Sequence, residues 1–470
     1  MKKSRLIELF QTLEKPELRE LKKFVRSPFF NTQKEVSVLA DFLINNRDAN
    51  KFPPDKTTAF KKIFPDEAYS DVKIRLVMSA LLKCLESYLV VKKALAEESD
   101  TKIQLAEVYR SRKLSRHFQT TKTLARRSLS SKKERNATFW RQRYALSVEQ
   151  YYMESAQGRS AALNLQEVTD ALDTFFIAEK LRQSCILLTH QAVYKSDYRH
   201  GLLAAVLEYL RQYPQMLSEP AVGIYYHAFY ALTHAQEEVH FQNFKNHLFL
   251  FSKHFPEQEL RDLYLLAINY CIRQINEGKR PYFREGFDLY QRGIQNEIFI
   301  EKGLLSRFTY SNIVGIGLQL NEFDWVENFL KSYQPFIEKN HRESTFSYNM
   351  ARLEYARRHF STAISLLQKA EYKDLLTNLG AKTILLKIFF EQDSTDLLNA
   401  HLDAMKNFIR RKRVIGYHRE NYLNIVHFTG KLNTVNPFQK SELKKLKEEI
   451  LSAEPLTERE WLLYQLEEMM

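Results

Sequence analysis

The chain has 470 residues, 44% of them apolar and 27% charged, with a formal net charge of +13 and a mean hydropathy of −0.43. Its 12 glycines, about 2.6% of the chain against an average near 7%, leave little material for the sharp turns of doubly wound α/β folds or β-sandwiches, so an all-α protein is expected. The three cysteines, Cys84, Cys185 and Cys271, are dispersed and lack CxxC or Cys/His ligand spacing, which argues against a zinc site or a disulfide framework and for a soluble protein of a reducing, cytoplasmic compartment.

Residues 1–95 read as a small helical head. "MKKSRLIELFQTLEKPELRE" starts basic, but Glu8, Gln11 and Glu14 interrupt its apolar positions, so it predicts an amphipathic helix and not a secretory signal. "KPELRELKKFVRSPFFNTQKEVSVLADFL" predicts two helices broken at Ser27–Pro28. Pro65 then separates a short helix from a long one starting near Ser70. "ELRELKKFVRSPFF" resembles the start of some uncharacterised bacterial helical-repeat proteins, a likeness that implies no particular activity. The longest apolar runs, such as "LLAAVL" at 202–207, reach about a third of a bilayer-spanning helix, so no transmembrane segment is expected.

The next stretch concentrates the charge. From Tyr109 to Arg143 there are twelve Lys/Arg and one acid, Glu134, a balance of +11 that leaves +2 for the rest of the chain. Ten of the twelve are Arg110, Arg112, Lys113, Arg116, Lys122, Arg126, Arg127, Lys132, Lys133 and Arg135, bracketing Phe118. Arg112, Lys113 and Arg116 fall near one turn; Lys122, Arg126 and Arg127 follow along the next helix. Cations so close repel one another unless an anion compensates. The segment is thus either a docking surface for an acidic partner (nucleic-acid backbone, acidic protein segment or anionic lipid) or a solvated face paired with acids such as those of "ALAEESD" at 94–100. A smaller cluster, "IRRKR" at 409–413, sits at a helix end where cations favour the dipole.

Residues 96–470 carry a recurring pattern. "YNMARLEYARRHFSTAISLLQKAE", Tyr348 to Glu371, sets Met350, Leu353, Tyr355 and Ala356, then Phe360, Ala363, Ile364, Leu367 and Ala370, at i, i+3, i+4 spacing: two amphipathic helices split near Arg357–His359. The unit resembles a tetratricopeptide repeat, with Ala351 at the small helix-A position, Tyr355 and Phe360 at the aromatic positions, and Ala363 and Ala370 at the helix-B alanines. The polar-turn, aromatic, helix signal recurs backwards at Phe323, Phe283, Phe241, Tyr198 and Phe118, and forwards near Leu397, with a period of 37 to 43 residues and one double gap. The expectation is an α-solenoid of roughly eight tetratricopeptide-like hairpins. Its last helix, led by Thr457 as N-cap with Glu460 completing a capping box, would close the array. The resemblance also implies a concave groove lined by helix-A residues. Tyr348 and Arg352 would face it and would not form the Lys/Asn clamp that grips chaperone tails.

Catalytic constellations are missing from the sequence. "GIGLQL" at 315–320 lacks the third glycine of a dinucleotide loop and lies within a helical pattern, where Gly315 and Gly317 permit close packing. "HAQEEVH" at 234–240 lacks the HExxH spacing and falls on an expected turn. No cofactor, metal or catalytic residue is expected. The function expected is a non-enzymatic helical-repeat scaffold for protein partners; the alternative is a helical-repeat protein that binds nucleic acid through the basic segment.

Overall fold

The computed structural model describes residues 1, 4–48, 52–156, 163–194, 196–369, 374–411 and 417–470. Among them are 23 α-helices, three short 3-10 helices and one two-stranded antiparallel hairpin, Ile300–Glu301 with Leu304–Leu305. The fold is all-α. It divides into two compact units, Met1–Ser184 with His200–Val222, and Cys185–Arg199 with Gly223–Met470.

The first unit opens with α1 (Arg5–Gln11), α2 (Lys15–Phe24), α3 (Lys34–Asp48), α4 (Lys56–Ile63) and α5 (Asp71–Ala96). The breaks fall where proline and capping residues demand them. Glu14 and Glu17 close a capping box on α2, Asp55 caps α4 by accepting from the Thr57 amide, and Ser70 caps α5. Leu6, Phe10, Leu21, Leu39, Phe60 and Leu81 meet in one fully buried cluster confined to these helices. Then come α6 (Glu98–Ser111), α7 (Ser115–Ser131), α8 (Ala137–Ser155), α9 (Leu165–Tyr194, whose end enters the second unit) and α10 (Leu203–Gln212). α6, α7 and α8 pack pairwise. They bury Ile103 and Ala106 of α6, Phe118, Ala125 and Leu129 of α7, and Trp140 and Met153 of α8.

α11 (Pro220–Thr233) and α12 (Glu238–Leu250) lead the second unit. It continues with α13 (Glu257–Asn276), α14 (Pro281–Gln295), α15 (Arg307–Gln319), α16 (Phe323–Tyr333), α17 (Lys339–Ala356) and α18 (Phe360–Lys369). α19 (Leu375–Glu391), α20 (Thr395–Arg411), α21 (Tyr417–Thr434), α22 (Lys440–Ser452) and α23 (Arg459–Glu468) complete it. From α13 to α20 each helix packs on its successor, and α15, α17, α19 and α21 also touch one another in turn. Gly317 serves this packing: a Cβ there would sit 2.5 Å from Val326.

One turn recurs. Lys113, Gly278, Glu297, Asn321, Arg358 and Asp393 each take a left-handed conformation just after a helix. In each case the next residue's amide reaches back five positions, as Leu114 N–H does to the Tyr109 carbonyl at 2.9 Å and His359 N–H to Glu354 at 2.8 Å. This is the Schellman closure of a helix C-terminus. In the second unit the turns at 278, 297, 321, 358 and 393 lie 19, 24, 37 and 35 residues apart.

That turn relocates the expected anchors. Five residues beyond the left-handed positions at 113, 321, 358 and 393 lie Phe118, Val326, Ala363 and Leu398, all essentially fully buried, whereas the same step from Gly278 reaches half-buried Phe283. Phe323 and Phe360 are only half-buried, and Leu397 is 59% exposed beside Leu398 at 1%. Phe241 is buried; Phe283 is half-buried next to buried Tyr282. Tyr198 lies in the extended stretch before α10 and opens no helix. The inward position depends on helical phase, and aromatic residues near a turn occupy several phases. Ala370 lies outside the described residues. At the C-terminus, α23 begins at Arg459 behind a left-handed Glu458, whose carboxylate takes a 2.7 Å bond from Lys387, so Thr457 is not its N-cap.

Candidate functional site

The basic segment spans the end of α6, all of α7 and the start of α8. The left-handed turn at Lys113 projects Arg112, Lys113 and Leu114 outward, and α7 follows with no acidic residue in its 17 positions. Its buried face is Phe118, Thr121, Ala125 and Leu129, so helical periodicity places Arg116, Thr120, Leu124 and Arg127 on the opposite, exposed side.

Five of the twelve cations find carboxylates, all outside the segment. Arg110 pairs with Glu149 of α8 at 2.5 Å, and Arg126 with Glu167 of α9 at 3.0 Å. Lys132 pairs with Glu97 at 2.5 Å, Arg141 with Asp100 at 3.6 Å, and Lys122 more loosely with Glu154 at 3.9 Å. The bond to Glu149 raises the Arg110 titration, while burial lowers that of the largely enclosed Lys122. Arg135 is spent on the carbonyls of Lys132 and Glu134, both at 2.7 Å, with its guanidinium over the Phe139 ring. Arg143 stacks on Trp140.

Arg112, Lys113, Arg116, Arg127 and Lys133 are different. All five are exposed, and none has a carboxylate within ion-pair distance among the described residues. The acids of residues 94–100 thus answer two of the twelve cations and leave the turn and the outer face of α7 uncompensated. Arg116, in the first turn of α7, also stands against the helix dipole, which favours negative charge there. The surface can hold an anionic group at low desolvation cost. Exposed Leu124 lies within it, while Leu114, four residues before Phe118, stands on the Phe118 side of α7. Sequence reasoning passed Leu124 over; its spacing relative to Phe118 shows that it lies off the buried face.

Tyr348 and Arg352 are half-buried in the second unit. Arg352 donates to the Ser311 carbonyl of α15 and to Asn349, each at 3.1 Å, and its guanidinium lies against Gly315, where a Cβ would come within 2.9 Å. The Tyr348 hydroxyl packs on Gly380 of α19. Both residues therefore help pack α17 against its neighbours. Arg410 and Arg411 sit in the last turn of α20, while Lys412 and Arg413 lie outside the described residues.

The three cysteines are buried, and burial raises each thiol's titration, so little thiolate forms near neutrality. "HAQEEVH" spans the α11–α12 turn. Its His240 packs on buried His227, which in turn contacts His247. Among the described residues no group of three or more His, Cys, Asp or Glu is placed to hold a metal ion, and no helix is long and apolar enough to cross a membrane. Comparison with known protein families, with curated proteins and with solved structures finds no match.

Proposed function

We propose that residues 96–470 form a non-enzymatic, tetratricopeptide-like helical-repeat scaffold, and that the protein binds a partner through an acidic protein segment docked on the α6–α7 turn and the outer face of α7. The recurring left-handed turn and the packing of alternate helices support the repeat reading. One observation carries the binding reading: neighbouring acids neutralise five cations of the segment, while Arg112, Lys113, Arg116, Arg127 and Lys133 stay exposed and unanswered. Interspersed ion pairs break the basic surface into patches, which suits a protein segment with spaced carboxylates better than a continuous phosphate track.

The test is titration of a labelled oligo-glutamate peptide, single-stranded RNA and duplex DNA with the intact protein across a salt series. Salt-sensitive peptide binding is expected, lost at least tenfold in an Arg112→Glu, Arg116→Glu, Arg127→Glu variant whose melting is unchanged. Preference for RNA or DNA over the peptide would replace this reading with nucleic-acid binding. Absence of binding to all three would end it.

A further inference from the structure

The hairpin between α14 and α15 interrupts the run of helices, and with α13 and the starts of α15 and α17 it walls a cavity of about 760 Å³. The floor is apolar: Phe299, Leu305 and Ile337 are almost fully buried. Two arginines also line it. Arg261 of α13 has a side chain only 17% exposed, and its Nε donates to the Ile298 carbonyl at 2.7 Å. Arg307, the first residue of α15, is 29% exposed and donates from Nη1 to Nδ1 of His341 on α17 at 3.3 Å. A carbonyl and an imidazole thus hold these guanidinium groups in place without neutralising them. The nearest carboxylates among the described residues stand off. Glu301, itself 69% exposed, is 3.4 Å from Arg261, and Asp374, whose other oxygen caps α19, is 3.7 Å from Arg307. Nη2 of Arg261 and Nε of Arg307 have no hydrogen-bond partner among the described residues.

We propose that this cavity binds a small monocarboxylate with an aliphatic or aromatic body. The carboxylate accepts from the open N–H groups of Arg261 and Arg307, and the body lies over Phe299, Leu305 and Ile337. A cation largely withdrawn from water gains most from a partner that both neutralises it and takes its hydrogen bonds, which a carboxylate does through paired N–H contacts. The volume falls in the range of about 300–1,000 Å³ usual for small-ligand sites, where apolar walls and a few convergent polar groups share the work. Exposed Lys302 adds a third cation to the lining, and Glu301 and Glu338 set two carboxylates against the three, leaving a surplus of one positive charge. That surplus matches a monoanion better than a phosphate dianion, and a bare dianion has no use for the apolar floor. The site uses no residue of the basic segment on α6–α8, so it stands or falls separately from the docking reading above.

The full chain is titrated by calorimetry with four probes. Octanoate carries head and body, octanol and octylamine keep the body and change the head, and acetate keeps the head alone. Octanoate is expected to bind at least tenfold more tightly than each of the other three. Two variants then locate the site. Arg307→Gln removes one of the two guanidinium groups, and Leu304→Glu adds a carboxylate to the cavity wall at an exposed position of the hairpin while leaving both arginines in place. Each is expected to weaken octanoate at least tenfold, with melting checked alongside. Because Arg307 also ties α15 to α17, an early-melting Arg307→Gln leaves the decision to Leu304→Glu alone. Octanol as tight as octanoate would show that the arginines do not read the head, and acetate as tight would show that the floor does not read the body; either overturns the proposal. So would octanoate that fails to bind, or that binds the folded variants as tightly as the intact protein.

Discussion

The α6–α7 and α17–α18 hairpins close with the same turn and carry cations at the same places, yet they use them differently. Lys113 and Arg358 occupy the same left-handed position, each preceded by an arginine, Arg112 or Arg357. In the second hairpin Arg357 reaches Glu327 at 2.6 Å and Asp324 at 3.0 Å, both on α16, and Arg358 reaches Glu391 of α19 at 3.0 Å. In the first, Arg112 and Lys113 reach no carboxylate among the described residues. The turn requires a particular backbone conformation and is indifferent to what its side chains touch. Cations that tie a hairpin to its neighbours are accounted for by packing; those left over at an equivalent place face the solvent.

The comparison breaks first on the core. If the position five residues past the turn is the true anchor, Phe118→Ala should destabilise the protein by about 3–5 kcal/mol, as for other buried Phe-to-Ala changes. The half-buried Phe360, changed to Ala, should cost only about 1–2 kcal/mol. Urea unfolding of the two variants decides it; equal losses would refute the register.

A third hairpin, α11–α12, gathers imidazoles: buried His227 lies against half-buried His240 and His247. Burial pushes His227 down to about 4, and His247 and His240 add to the effect. The unfolded imidazole titrates near 6.5. Above that pH both states hold it neutral. As pH falls from about 6.5 to about 4 only the unfolded state gains the proton, so stability drops through that window and levels below it. The loss should be about 1–3 kcal/mol. His227→Gln should flatten the profile between pH 7 and 4, and an unchanged slope would show that other groups set it.

The charge contrast itself predicts smaller effects. Arg357→Gln removes the cation of exposed Asp324 and one of the two cations of Glu327, which keeps Lys331 at 2.6 Å, and should cost about 0.5–1 kcal/mol. Arg112→Gln should stay within about 0.5 kcal/mol, since it removes no partner. The backbone contributes a separate effect. Lys113→Gly relieves a left-handed side chain and should stabilise by about 0.5–1 kcal/mol. Arg358→Gly gains the same relief but loses Glu391, so its net effect should be near zero. Thermal melting of the four variants would show whether the two turns differ only in their partners.

Much of this was legible beforehand. Proline at 28 and 65, serine at 70 and the scarcity of glycine announce short helices and their breaks, because these residues act through local backbone geometry that neighbours cannot easily override. The split of residues 348–371 into two helices follows from apolar spacing alone. The anchors were harder. Phe323, Phe360 and Leu397 follow turns, as expected, but the residues that reach the core are Val326, Ala363 and Leu398. At most of these turns lysine, asparagine, arginine, aspartate or glutamate holds the left-handed position instead of glycine, so little in the sequence marks where the following helix begins its phase.

The amino-acid sequence by itself determined that this protein is helical, where several helices break (at Pro28, at Pro65, before Ser70 and near Arg357–His359), and that its positive charge gathers between residues 109 and 143. Those are consequences of propensity, capping and counting, all local. Only the tertiary structure decided which cations of that segment are free. Glu97, Asp100, Glu149, Glu154 and Glu167 are brought to five of them by the packing of α6, α8 and α9 around α7, and it leaves Arg112, Lys113, Arg116, Arg127 and Lys133 to the solvent. Charge compensation acts over a few ångströms in space, and the chain brings those few ångströms together from residues as many as 41 positions apart.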